Sequence, residues 1–276
     1  MRWTRWLALA ATAGAMLPAL VAGTVTASAA DNQARVRLIQ TLTMGPGLDF
    51  YIDGRRAVSN VVYKNVTTYF TVAPGDHTFT LRKAGDAAAA APVTELKQSL
   101  DASSFGSIVA IEDADMTTKE LFFSDSITTP PAGSGLLRFL HVCEQIPTVS
   151  LVPTGGAALI SNIGFKQSSP YVPVQAGSLD LQLSQSDKPD NVVYHLKYDV
   201  KPGAVQTFLG IGGMGQPVEM LTVLDAASAG TAPQGSAATG AGGLVYGRAL
   251  GLALLTGTLL LAGGLLALAR RAPEPD

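Results

Sequence analysis

The sequence predicts an all-β protein, with two tandem Ig-like β-sandwich domains followed by one C-terminal transmembrane helix. Three observations lead to this fold class. Apolar and polar residues alternate in short runs, the pattern recurs about one hundred residues later, and residues 249–269 form a 21-residue run without a charge. The first two observations indicate a pair of β-domains, and the third indicates a membrane span.

Each copy of the repeat alternates apolar and polar side chains with a period of two, as in residues 79–81 and 179–183. This period places one face of a strand in a core and the other in solvent. Asp53-Gly54 is typical of a hairpin turn, in which positive φ angles favour glycine. Such turns divide each copy into seven or eight short strands spaced about 8–12 residues apart, a pattern typical of a β-sandwich.

The repeat is visible at matched positions of the two copies. Ser59-Asn60 corresponds to Ser161-Asn162, and Tyr63-Lys64 corresponds to Phe165-Lys166. Further matched pairs are Arg37 with Arg138, Tyr69 with Tyr171, Gly75 with Gly177, and Ile111 with Ile211. Because packing and turn residues recur in the same order, we expect each copy to fold as one sandwich.

The N-terminal residues 1–30 have the pattern of a signal peptide. Arg2 and Arg5 form a basic start, residues 7–25 are apolar, and Ala27-Ser28-Ala29 fits the rule of small residues at a cleavage site. An uncleaved N-terminal anchor is the alternative interpretation.

The run at 249–269 would form a helix about 31 Å long, enough for a hydrocarbon core of about 30 Å. Arg270-Arg271 follows directly, as expected on the cytoplasmic side. We therefore predict a single-pass type I protein of the cell membrane, with its bulk extracytoplasmic and a cytoplasmic tail at 270–276. Gly247 and Gly251 would let two such helices approach as a dimer, although small residues are common in any transmembrane helix.

Composition shifts mark the predicted domain boundaries. The first sandwich domain is expected at 31–129, a proline-containing linker at 130–136, and the second sandwich domain at 137–225. Residues 226–248 are mostly Ala, Gly, Ser and Thr, which predicts a flexible stalk.

Charge and cysteine content exclude some classes of protein. Between residues 31 and 247 there are 14 Lys and Arg against 19 Asp and Glu, a net charge of −5. This scattered acidity lacks the basic stripe that nucleic acids bind, so we expect no nucleic-acid partner. Cys143 is the single cysteine, so no disulfide forms within the chain, and the residue either is buried or links two chains.

Several motifs carry a resemblance to a known family. They are R-V-R-L-I-Q, L-D-F-Y-I-D-G, V-S-N-V-V-Y and T-Y-F-T-V-A-P-G-D-H-T-F-T-L in the first copy. The chain resembles a domain-of-unknown-function family numbered 4397, with two tandem copies over 34–224. The resemblance implies exported bacterial β-domains and no established activity. Where family members usually show His-Ala-Ser-Pro-Asp-Ala-Pro, the first copy has Gln40, and only the second copy keeps the histidine, as His141.

Two loops contain motifs for ligand binding. The residues from Gly210 to Gly215 match G-x-G-x-x-G, but a dinucleotide site needs a helix at the third glycine, and Pro217 and a strand pattern follow instead. This stretch aligns on 110–115, so we interpret both as hairpin loops. The acids from Glu112 to Asp115 would suit Ca²⁺, yet the second copy has none there, and acidic turns usually face water.

His141 and Cys143 are expected on one strand face, with Glu144 nearby. Two such residues would suit a metal or a Cys–His nucleophile pair, but His77 and His195 belong to other strands and supply no third ligand.

The matched tyrosines Tyr69 and Tyr171 would serve either as a stacking platform for sugars or in a packing role shared by both copies.

The sequence therefore predicts no catalytic, cofactor-binding or metal site and no enzyme. The favoured function is a non-enzymatic binding, adhesive or structural module on the bacterial cell surface, with envelope polysaccharide or a surface protein as partner. The alternatives are an envelope enzyme such as a hydrolase, and an accessory subunit of a membrane complex.

Overall fold

The computed structural model describes residues 32–87, 89–213 and 215–226. These residues form sixteen β-strands in four-stranded sheets and no α-helix, which confirms the predicted all-β class and β-sandwich domains for this part of the chain. The predicted signal peptide, transmembrane helix and tail lie outside the described residues, as does the stalk beyond Ala226. None of the described residues belongs to a helix long and apolar enough to cross a membrane.

The first domain contains eight strands. They are β1 (Ala34–Gln40), β2 (Leu48–Ile52), β3 (Arg55–Val61), β4 (Phe70–Val72), β5 (Gly75–Lys83), β6 (Thr94–Leu100), β7 (Phe105–Glu112) and β8 (Thr118–Asp125). The order β4-β1-β7-β8 forms one sheet, here called the inner sheet, and the order β3-β2-β5-β6 forms the outer sheet. In the inner sheet β1 and β7 are parallel, and all other neighbours in both sheets are antiparallel.

The second domain repeats this arrangement. Its strands are β9 (Ser134–His141), β10 (Thr148–Pro153), β11 (Ile160–Gly164), β12 (Val172–Gln175), β13 (Gly177–Gln185), β14 (Lys188–Val200), β15 (Val205–Ile211) and β16 (Glu219–Ala226). The inner sheet has the order β12-β9-β15-β16 and the outer sheet β11-β10-β13-β14. Each sheet has four strands, whereas a constant-type immunoglobulin sandwich has four and three, so the Ig-like subclass stays a prediction.

The strand bounds differ slightly from the predicted domain limits. Strand β9 begins at Ser134, inside the range predicted as linker, because Ser134 already pairs with Gln175 of β12. Strand β16 runs to Ala226, the first residue of the predicted stalk, which is fully buried and pairs with Val205.

Alternation along the strands fills three separate cores. Phe50, Phe79 and Ile108 lie between the two sheets of the first domain, and Phe139 and Phe208 hold the same place in the second. The third core lies between the two inner sheets. It consists of Ile39, Val66, Val109, Ile111, Leu140, Val142, Leu209, Ile211, Leu221 and Val223.

The third core means that the domains pack on each other through their inner sheets. Both faces of β1, β7, β9 and β15 are therefore buried, and the two domains fall within one compact unit of the chain. The apolar side chains shared between the domains couple the stability of one domain to that of the other. Separating the two inner sheets would expose these side chains to water.

Strand direction gives the molecule two distinct ends. Within each domain the odd-numbered strands all run in one direction and the even-numbered strands run in the opposite direction, because short connections join successive strands. The loops that follow odd-numbered strands therefore lie together at what we call the loop end. Ala34, Ala226 and the connection from Asp125 to Ser134 lie at the opposite end, here called the terminal end.

Contacts between the domains show that both loop ends point the same way. Lys64 and Glu219, each at the loop end of its own domain, form an ion pair, and so do Lys166 and Asp113. Near the terminal end, Arg37 reaches Asp225. Contacts at both levels hold the two domains side by side in parallel.

The matched positions of the repeat are places where the backbone has positive φ. Asn60 and Asn162 have φ of 54° and 58°, and Lys64 and Lys166 have 66° and 67°. Gly75 and Gly177 have φ of 120° and 134°. Asparagine and glycine tolerate this region best, so the repeated Ser-Asn and Gly residues record the same turns in both domains.

Candidate functional site

The loop end carries the exposed apolar side chains. Among the described residues, the large hydrophobic side chains classed as exposed are Met44, Val62 and Met116, at 58%, 46% and 64% exposure. They belong to three different loops of the first domain: β1–β2, β3–β4 and β7–β8. Exposed apolar residues scattered singly need no explanation, but their confinement to one end marks that end as a candidate contact surface.

Charge at the loop end is predominantly acidic. Its loops contain Asp86, Asp113, Asp115, Glu144 and Asp187 against Lys64 and Lys166. Both lysines are engaged, since Lys64 pairs with Glu219 and Lys166 lies 2.6 Å from Asp113. The surface therefore combines exposed methionine with acidic side chains.

A cluster of buried charges joins the two domains near the terminal end. Arg37 of the first domain pairs with Asp225 of the second, and Arg138 of the second pairs with Asp125 of the first. A further 3.5 Å contact connects Arg37 to Asp125. Two arginines therefore face two aspartates, and the cluster is neutral when both carboxyls are ionised.

Hydroxyl groups and backbone carbonyls complete the cluster. Arg37 Nε donates to Ser107 Oγ at 2.8 Å, and Arg138 Nε donates to Thr207 Oγ1 at 2.9 Å. Arg138 Nη1 also donates to the Ser124 carbonyl at 2.6 Å. Burial raises the pKa of Asp125, but the charges of Arg37 and Arg138 outweigh it and hold that pKa below its ordinary value.

The matched tyrosines belong to this cluster. Tyr69 OH donates to Asp125 Oδ2 at 2.7 Å, and Tyr171 OH donates to Asp225 Oδ2 at 2.8 Å. The Arg37 guanidinium lies 4.7 Å from the centre of the Tyr69 ring, and the Tyr171 ring has the same relation to Arg138. Of the two interpretations from the sequence, this geometry favours the shared packing role.

The two motif-bearing loops are hairpins. Residues 212–218 connect β15 to β16, and residues 113–117 connect β7 to β8. A strand rather than a helix follows Gly215, so the glycine motif lacks the helix that a dinucleotide site requires.

In the acidic loop, Asp115 accepts from the amide of Thr117 at 3.0 Å. Across the described ranges no group of three or more His, Cys, Asp or Glu side chains has the geometry to hold a metal ion.

The expectation that His141 and Cys143 share one strand face is wrong, because β9 ends at His141 and Cys143 lies beyond the strand. His141 is buried, and its Nε2 donates to the Ile146 carbonyl at 2.6 Å. Burial lowers the pKa of His141, and among the described residues its buried Nδ1 has no hydrogen-bond partner. Cys143 is a buried free cysteine whose thiol pKa is raised by burial, which makes it a poor nucleophile at neutral pH.

His77 lies beside a cavity of about 350 Å³ that opens at the terminal end of the first domain. The cavity is lined by Asp76, His77, Thr78, Lys97, Gln98 and Ser99. His77 Nδ1 is 2.7 Å from Asp53 Oδ2, and Nε2 is 2.7 Å from the Ala73 carbonyl. Burial disfavours the charged ring, but both neighbours accept hydrogen bonds and so raise the pKa of His77 above its ordinary value.

Glu120 is a buried carboxyl on β8. It is 7% exposed, and neither carboxyl oxygen has a partner within the described structure. Burial and the nearby charge of Glu95 raise the pKa of Glu120 to about 8. The carboxyl is therefore mostly protonated at neutral pH. The matched residue of the second domain is Met220, which shows that the position suits an apolar side chain.

Sequence reasoning missed the buried charges, Glu120 and the His77 pair. The signal for the first was present in the matched arginines, Arg37 and Arg138, which interrupt apolar strands in both copies. A buried arginine needs a carboxylate partner, but that partner lies 188 residues away in the chain for Arg37.

One family model matches the chain. It is described as "Domain of unknown function (DUF4397)" and covers residues 34–152 as one copy. The matched range contains the first domain and continues to β10 of the second. This agrees with the family named from the sequence, whereas the second of the two tandem copies is not confirmed.

Comparison with curated proteins gives no match. Among solved structures, one match is a crystal structure from Bacteroides uniformis described as "a putative cell adhesion protein". The two chains are 9% identical, with 70% of this chain and 96% of that chain covered, and the TM-score is 0.20. A TM-score of this size does not indicate a shared arrangement of the whole chain.

Proposed function

We propose that the chain is a non-enzymatic module of the bacterial cell surface, anchored by its C-terminal segment, that presents its loop end for binding or adhesion. The observation that supports this function is the separation of the two ends. The described chain begins and finishes at the terminal end, and the loops after the odd-numbered strands lie at the other. A C-terminal membrane anchor would continue from the terminal end, which would leave the loop end free for contact.

Packing of the domains suits this role. The third core and the Arg37–Asp225 and Arg138–Asp125 pairs join the domains into one body, so loops from both domains form a single surface. We also propose that the second domain is another copy of the matched family, since its strand order and its positive-φ positions repeat those of the first.

The first test is the orientation of the full-length protein in intact cells. Met116→Cys places an exposed thiol at the loop end, while the native Cys143 is buried. A membrane-impermeant maleimide should label Met116→Cys in intact cells and leave the wild type unlabelled. Labelling that requires cell lysis would show that the loop end faces the cytoplasm and would remove the basis of the proposal.

The second test concerns the loop end itself. Proteoliposomes carrying the full chain should bind immobilised envelope polysaccharide or cells saturably. The double substitution Met44→Glu and Met116→Glu should abolish binding, whereas Arg55→Glu at the terminal end should not. Equal binding by both variants, or turnover of an envelope substrate without binding, would contradict this function.

A further inference from the structure

The outer sheet of the second domain ends in a long strand whose second edge has no partner strand in the described part of the chain. Strand β14 has 13 residues and pairs with β13 on one side, and no described strand lies on its other side. Alternate residues of such an edge direct their N–H and C=O groups outward, where another strand can bind them. We propose that β14 pairs antiparallel with β14 of a second copy of this chain in a facing membrane, as a homophilic adhesive contact.

Length distinguishes β14 from the other sheet edges. The remaining edge strands, β3, β4, β6, β8, β11, β12 and β16, have three to eight residues. Two features that normally protect an edge, a proline and a register shift, occur at one end of β14, and Lys197 is a charged residue in its regular part. Pro189 is the proline, and the register with β13 shifts beside Ser184. From Tyr194 to Val200 the register is regular.

Side chains along β14 suit pairing with a second copy. Tyr194, Leu196 and Tyr198 point to the core side and are only half-buried, so an added strand would cover them. His195, Lys197 and Asp199 alternate with them and are exposed.

Charge excludes one register, and apolar pairing and the length of the overlap favour another. An antiparallel pair centred on Lys197 would oppose two lysines, which is unfavourable. Centring the pair on Leu196 opposes Leu196 to itself and Tyr194 to Tyr198 of the other copy. It also brings His195 opposite Lys197 and overlaps the whole segment from Val192 to Val200. Aromatic and aliphatic pairs of this kind stabilise antiparallel sheets.

The polarity of the strand favours copies from facing membranes. Val200, the last residue of β14, lies at the terminal end, where the chain leaves at Ala226. Antiparallel pairing therefore places the two Ala226 residues at opposite ends of the pair. The inference rests on the proposed function because it requires the C-terminal anchor.

Vesicle aggregation tests the contact with the full chain. Two populations of proteoliposomes with different dyes should aggregate when both carry the protein and not when one population is empty. His195→Glu should strengthen aggregation about fivefold, since it places two carboxylates opposite Lys197 residues, and His195→Lys should weaken it about fivefold. The control is Glu95→Lys on β6 of the first domain, the position matched to His195, which should change nothing.

Crosslinking tests the register and the facing arrangement. Vesicles with His195→Cys mixed with vesicles with Lys197→Cys should form a mixed disulfide under mild oxidation, whereas either population alone should form none. Absence of aggregation and of the mixed disulfide would overturn the proposal. A disulfide formed only when both variants share one vesicle would also overturn it, because the pairing would then lie within one membrane. Correct labelling of Met116→Cys in cells together with such a result would leave the proposed function intact.

Discussion

Arg37 in the first domain and Asp225 in the second form an ion pair in which the two side chains are 2% and 0% exposed. The pair lies between two inner sheets that also share an apolar core. Its near-symmetric counterpart joins Arg138 to Asp125. A buried pair of this kind contributes little net stability compared with a well-packed apolar pair, but loss of one partner leaves a charge without compensation.

Arg37→Met should therefore destabilise the whole two-domain body. We expect a loss of about 3–5 kcal/mol in the free energy of unfolding, measured by urea denaturation at pH 7, because Asp225 is left buried beside another carboxylate. Since the domains share a core, the wild type should unfold in one transition, and the variant should show a separate earlier loss of domain contact.

A surface pair provides the control for this measurement. Arg56 is 54% exposed and lies 3.2 Å from Asp49. Arg56→Met should cost no more than about 1 kcal/mol. If Arg37→Met costs as little as Arg56→Met, the buried cluster does not hold the domains together.

Glu120→Met should stabilise the protein, since it installs the residue that the second domain has at the matched position. The pKa of Glu120 is raised from its ordinary value of 4.5 to about 8 by burial and by Glu95. Between these two values the folded state keeps a proton that the unfolded state releases, so stability falls as pH rises through this window. At pH 8 the gain from Glu120→Met should be on the order of 3 kcal/mol.

The pH profile separates this effect from simple packing. Unfolding of the wild type should require less urea as pH rises from 5 to 8, and Glu120→Met should make that fall in stability smaller. Glu95→Gln removes the neighbouring charge and should lower the pKa of Glu120. Stability should then fall as in the wild type, but the fall should end at a lower pH. A wild-type profile that rises over the same range would show that Glu120 is ionised when folded.

The repeated asparagines yield a prediction about the backbone. Asn60 has a φ of 54°, and its N–H donates to Asp49 Oδ1 at 2.9 Å. Asn60→Gly should change the free energy of unfolding by less than about 0.5 kcal/mol, whereas Asn60→Val should cost about 1–2 kcal/mol because a β-branched residue is strained there. Asn162→Val should behave alike in the second domain. Equal effects of glycine and valine would mean that the side chain, not the φ angle, determines the choice of asparagine.

The local parts of this fold could be predicted from the sequence. Period-two alternation and Asp53-Gly54 depend on neighbouring residues, so they indicated the sandwich strands and the β2–β3 turn directly. Alignment of the copies identified the glycine-rich loop as a hairpin for the same reason. The choice of Asp225 as partner of Arg37 depends on how two finished domains pack, and no local pattern encodes it. Pairing of His77 with Asp53 likewise joins residues 24 positions apart through two separate turns.

His77 yields a second prediction about pH. Burial disfavours its charged form, but hydrogen bonds to Asp53 and to the Ala73 carbonyl, with the charges of Asp53 and Asp76, raise the pKa of His77 above its ordinary value of 6.5. A raised folded pKa means that the stabilisation is complete below pH 6.5 and is lost as pH rises through the folded pKa. Deprotonation removes one of the two donors that join the β2–β3 and β4–β5 turns.

The effect of His77 is best measured in the Glu120→Met background, which lacks the carboxyl that titrates over the same range. In that background stability should still fall as pH rises above 6.5, and the additional substitution His77→Asn should remove this fall. His141 does not interfere, since burial lowers its pKa and it gains charge only in more acidic solution. A ring titration of His77 followed by NMR should give a pKa above 6.5. A value below 6.5 would mean that one ring nitrogen is unprotonated and that the contact with Asp53 or Ala73 is lost in solution.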